Sequence, residues 1–151
     1  MNLLRLELPA RFQDYGLLIL RLAFGFSMIY GHGYGKLTRL FGSEEIRFAD
    51  PFGLGPATSL ALAVFAEVIC ALLVMAGLFT RAATIPLMIT MATAFFTAHF
   101  NDEFGQQEKV ILFGFTFLAL FFTGPGRFSL DAQMQKNKTY IEKKPLNQPI
   151  H

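Results

Sequence analysis

Residues 58–79 read TSLALAVFAEVICALLVMAGLF, an apolar run long enough to cross a hydrocarbon core as a helix and interrupted by one acid, Glu67. Thr80 and Arg81 follow as a very short turn, and a second apolar run resumes from Ala82 to Phe100, with Pro86 near its start and His99 near its end. So short a connection makes the two runs antiparallel neighbours. Upstream, a third run spans Phe12 to Tyr30 and is interrupted by Arg21. Downstream, a phenylalanine-rich run ends at Thr123 and gains length by starting near Gln106. Gly124-Pro125-Gly126 stops it, because that tripeptide cannot continue a helix.

In lipid each span must satisfy its own backbone hydrogen bonds, so these blocks read as helices rather than strands. The expected fold is all-α: an integral membrane four-transmembrane-helix bundle with spans at about 12–30, 58–79, 82–100 and 106–123, within a domain covering 12–131. Residues 1–11 form a short N-terminal segment, and the polar, lysine-rich stretch 132–151 is expected to be a mobile tail.

The chain has 151 residues, 53% of them hydrophobic, and a formal charge of +2. No Lys/Arg stripe is interleaved with aromatics, so a nucleic-acid partner is not expected; the expected partner is the lipid bilayer. Cys70 is the single cysteine, which excludes an internal disulfide and any CxxC thiol relay. Met1–Ala10 lacks the basic, apolar and small-residue series of a cleaved leader, so the N-terminus reads as uncleaved. Four spans place both termini on one side. That side carries Arg5, Arg11, Arg81, Arg127, Lys136, Lys138, Lys143 and Lys144, against Lys36, Arg39, Arg47 and Lys109 on the other. By the positive-inside rule both termini are expected to be cytoplasmic.

Arg21 and Glu67 each lie about 13 Å inward from the outer ends of their runs, taking a rise of ~1.5 Å per residue. Opposite charges at one depth on neighbouring helices predict a structural ion pair, Arg21–Glu67. It would either lock helix register or polarise a pocket for an anionic or quinone-like ligand. On the first helix Arg21, Gly25, Met28 and His32 share a face, which Lys36 extends if the helix continues. His32, Lys36, His99, Glu103 and Glu108 are candidates to converge at the outer mouth. Their spacings match no metal motif, and no metal is expected. The glycine-rich GHGYG follows a helix rather than a strand and lacks a GK[ST] ending, so it is not a phosphate loop; it serves a tight turn or a close backbone approach.

The ordered set RLAFGFSMIYGHGYGKL, FAEVICALLVMAGLFTRAA, MITMATAFFTAH and GPGRFSLD resembles the DoxX family of small four-helix membrane proteins over about residues 15–131. Arg21, Lys36, Glu67, Arg81, Glu108, Gly124, Gly126 and Asp131 match the family pattern. The resemblance implies a bacterial plasma (inner) membrane protein. Some relatives are associated with quinone-linked sulfur oxidation and others with oxidoreductase complexes that resist oxidative stress. On that footing Glu67 and Glu108 are the candidate catalytic proton-transfer groups, and Arg21, Lys36, His32 and His99 the candidate ligand-binding groups. A bound quinone is the implied cofactor, with redox-protein partner subunits. A homodimer suits a unit of this size, though no face demands it. The competing reading is a non-catalytic scaffold or assembly protein, with a small transporter ranked after it.

Overall fold

The computed structural model describes residues 9–143, and all regular structure among them is helical. Helix α1 is Arg11–Leu40, α2 is Pro56–Ala76 and α3 is Thr80–His99; these three are long and apolar enough to cross a membrane. Helix α4, Phe104–Thr123, begins with the polar run Gln106–Lys109 and becomes apolar from Val110. Helix α5 is Leu130–Lys143, where the sequence suggested a mobile tail from 132; residues 144–151 lie outside the described residues.

The largest departure from expectation is the length of α1. The sequence suggested an end at Tyr30, before the glycines, yet the helix passes through GHGYG as a π-helical turn, Ile29–Gly33, and continues to Leu40. Gly33 keeps helical dihedrals, φ −73° and ψ −42°, so its role is not a turn. A Cβ there would stand 2.7 Å from Val68 Cγ2 and 2.9 Å from the Glu67 carbonyl oxygen. Gly25 likewise lies against Met75 and 3.2 Å from the Ala71 carbonyl oxygen. Small residues thus bring the α1 and α2 backbones together, as is common where lipid supplies no hydrophobic drive between helices. These contacts set the antiparallel register: Gly25 faces Ala71 and Gly33 faces Glu67.

Two further π-helical turns, Phe65–Cys70 in α2 and Phe95–His99 in α3, interrupt the other long helices. Such turns are uncommon and often occur at functional sites. The core is formed by Met28, Cys70, Ala71, Val74, Ala83, Leu87, Met91, Val110, Phe117 and Leu120, from α1 through α4. Phe26, Leu62, Ile69, Leu72, Ile89, Leu112, Phe115 and Phe122 remain exposed on the outside of the same helices. A narrow buried core inside a large exposed apolar band is the pattern of a bundle solvated by lipid.

Each end of the bundle is closed by carboxylates on backbone N–H groups. At one end Asp50 accepts from Ser59 Oγ at 2.7 Å, Gly55 N at 2.8 Å and Leu54 N at 2.9 Å, fixing the start of α2 next to Pro56 at its first position. These bonds, led by that from Ser59, hold the Asp50 carboxyl below the usual carboxylate range. At the other end α2 stops at Gly77, whose φ of +68° suits a residue without Cβ, and Leu78 N bonds the Leu73 carbonyl at 2.9 Å. Phe79 also takes positive φ, 47°. Asp131 holds that turn: its carboxylate accepts from Phe79 N at 2.8 Å and Thr80 N at 3.1 Å, while its own N–H donates to the Gly77 carbonyl at 2.9 Å.

Candidate functional site: a buried lysine–glutamate pair

Glu67 projects from the π-helical turn of α2, with only 3% of its side chain exposed. Its partner is Lys36, not Arg21: Lys36 Nζ donates to Oε2 at 2.5 Å and to Oε1 at 2.7 Å. The pair expected from sequence is therefore corrected, and the cause is the extra length of α1. With Gly33 beside Glu67, Arg21 lies twelve residues away, about 18 Å along the helix axis. Lys36, one turn beyond Gly33, reaches back along its flexible stem, its side chain 25% exposed. An unpaired carboxylate at this depth would cost several kcal/mol, on the order of ~3 on insertion scales; two short bonds from one ammonium offset much of that.

The face anticipated on α1 is the one that packs inward. Arg21, Gly25 and Met28 are buried, and His32 and Lys36 are half-buried. His32 meets Phe113 of α4 edge-on, with ring centroids 5.3 Å apart. His99 does not join Glu103 or Glu108. Its Nδ1 lies 2.7 Å from Asp102 Oδ2, a partner the sequence reading did not single out. Glu103 and Glu108 are exposed, and neither forms an ion pair among the described residues. The outer cluster thus reduces to the Lys36–Glu67 pair, with His32 one turn before Lys36 on the same face of α1. Among the described residues no group of three His, Cys, Asp or Glu is placed to hold a metal ion.

Arg21 belongs to the opposite end. It is 1% exposed, and its Nη2 donates to the Phe128 carbonyl at 2.5 Å. Its guanidinium packs on Gly77, where a Cβ would collide with Nη1. Nε and Nη1 have no hydrogen-bond partner among the described residues. Two features compensate the charge: the carbonyl-rich C-terminus of α2 is partially negative, and Asp131 lies within electrostatic reach. Arg21, Asp14 and Asp131 together fasten the strap 124–131 across this end, with Asp14 accepting from Arg127 N at 2.9 Å and Tyr15 stacking on Phe128 with centroids 4.7 Å apart.

The sequence resemblance spans about residues 15–131, and the family comparison matches a shorter part of it. The DoxX family model matches residues 16–100, which include Arg21, His32, Lys36, Glu67 and His99. No curated protein and no solved structure matches the chain. A match over more than half of the sequence, on an all-helical membrane-type fold, identifies the chain as a member of the DoxX family.

Proposed function

We propose that this protein is the membrane-embedded subunit of an oxidoreductase system in the bacterial plasma membrane, with Lys36, Glu67 and His32 receiving the polar head of a quinone-like or sulfur-oxyanion ligand. The observation that carries this reading is a lysine–glutamate pair placed inside the bundle where the π-helical turns of α1 and α2 meet. Ionisable groups at such depth are costly and mark functional sites by default. Lys36 would stabilise negative charge on the ligand, and Glu67 would exchange a proton with it. Glu108, exposed near the start of α4, would pass protons to water rather than touch a buried ligand.

In this reading α4 is a fourth span, since Leu112, Phe115 and Phe122 face outward like their counterparts on α2 and α3. Both termini are then cytoplasmic, and the Lys36 end faces outward. The test is quinone reduction by membranes containing wild type or Glu67→Gln at equal abundance. A large loss of turnover, with the bundle still folded, supports the proton role; unchanged turnover removes it. The pair's own completeness favours a second reading. Because Lys36 satisfies both oxygens of Glu67, a scaffold could use it to fix helix register alone. In that case Glu67→Gln would change stability and leave turnover untouched.

A further inference from the structure

Helix α5 has 14 residues, and every position from Gln133 to Tyr140 is exposed. An isolated helix of ~12–15 residues is marginal in water, and among the described residues nothing covers 133–140, so its persistence calls for a surface beyond them. The structure fixes where that surface must lie. Asp131, in the first turn of α5, is bonded to the α2–α3 turn, so the helix starts at the end of the bundle. That end carries the exposed aromatic rings Phe12, Tyr15, Phe79 and Phe128, of which Tyr15 is the type enriched at a membrane–water boundary.

Among the described side chains at that end, the exposed charges are basic: Arg11, Arg81, Arg127, Lys136 and Lys138. The acids Asp14 and Asp131 are engaged by backbone N–H groups, Arg127 also pairs through Nε with Asp14 Oδ2 at 3.7 Å, and Glu142 follows near the end of α5. Along α5, Leu130 and Met134 are one turn apart and exposed, as is Tyr140. Apolar groups beside lysines, tethered at the interface, complement a bilayer bearing negative headgroups better than they complement a soluble partner.

We propose that α5 is a surface-lying anchor that binds anionic phospholipid, with Lys136, Lys138 and Arg127 meeting headgroup phosphates and Leu130 and Met134 entering the acyl boundary. The helix would then be firm on an anionic leaflet and fray on a neutral one.

The test is amide hydrogen exchange on the full chain in nanodiscs of either zwitterionic or anionic phospholipid, using residues 60–74 of α2 as the folded control. In anionic discs, exchange across 133–140 should slow at least tenfold. High salt should erase the effect as the screening length falls from about 10 Å at 0.1 M to about 3 Å at 1 M. Lys136→Gln and Lys138→Gln should each remove about fivefold of the protection while leaving α2 unchanged. Equal exchange in both lipids would overturn the proposal. So would protection in zwitterionic discs that appears only with two chains per disc, which would make a second copy the occupant.

Discussion

Replacing Lys36 with Met strands Glu67, and the size of the loss follows from where the two groups sit. Glu67 is 3% exposed on its side chain and has no second ion-pair partner among the described residues. Breaking a buried pair by removing one member costs about 3–5 kcal/mol. Taking up a proton is the carboxylate's cheapest escape, and at pH 7 it costs an ordinary glutamate about 4 kcal/mol, which caps the loss. The reverse change, Glu67→Gln, is milder because Lys36 is a quarter exposed and can turn its ammonium outward to water; about 1–2 kcal/mol is expected. Thermal unfolding in lipid nanodiscs should show Lys36→Met lowered by about 10 °C, Glu67→Gln by a few degrees, and the double variant close to Glu67→Gln alone. The resulting coupling is then the whole Lys36→Met loss, about 3–4 kcal/mol. The loss for Lys36→Met should also shrink as pH falls, since protonation of Glu67 becomes cheaper. If Glu67→Gln instead coupled to Arg21→Gln and not to Lys36→Met, the assigned pairing would be wrong.

Within GHGYG only the middle glycine meets a neighbour, so Gly33→Ala should cost about 1–3 kcal/mol, while Gly31→Ala and Gly35→Ala stay neutral or gain up to ~1 kcal/mol; chemical or thermal unfolding of the three variants separates them. Gly77→Ala faces both a positive φ and the Arg21 guanidinium and should lower folded yield sharply, scored by monodisperse protein after extraction. Asp131→Asn weakens the carboxylate that holds Phe79 N and Thr80 N and should cost about 1–2 kcal/mol, with faster amide exchange at residues 77–80. Because the Asp50 carboxyl is held below its unfolded value, its contribution is present above the ordinary carboxylate pKa of ~3.9 and is lost as pH falls through the lower, folded value. Exchange at Leu54 and Gly55 measured down a pH series should rise in that window relative to an Asp50→Asn control.

Much of the bundle was legible because lipid imposes a simple rule. The run 58–79 with a two-residue turn predicts α2 and α3 to within a few residues, and the spacing Arg21, Gly25, Met28, His32 does mark the inner face of α1. What misled was glycine. In isolation GHGYG suggests a helix stop, and only the approach of α2 makes Gly33 a packing residue in a continuing helix. That one boundary moved the depth of everything on α1 relative to α2, and so gave Glu67 the wrong partner. Lys36 was already on the shared face, but nothing local shows that its stem folds back toward Glu67. His99 is a milder case: Asp102, three residues on, was in plain view within the acidic connection but drew less notice than the two glutamates. The role of Asp131 depends on a contact with Thr80, fifty-one positions away, which no local pattern carries.

The lysine–glutamate contact is open to direct measurement. Protein with 15N at lysine Nζ and 13C at glutamate carboxyls, embedded in lipid, can be examined by solid-state NMR recoupling between the two labels. A short Nζ–carboxyl contact is expected from one pair, consistent with Nζ–O separations of 2.5 and 2.7 Å, and it should vanish in both Lys36→Met and Glu67→Gln. Recoupling of the Glu67 carboxyl to arginine guanidinium nitrogen, with none to lysine, would contradict the pairing on which the proposed site stands.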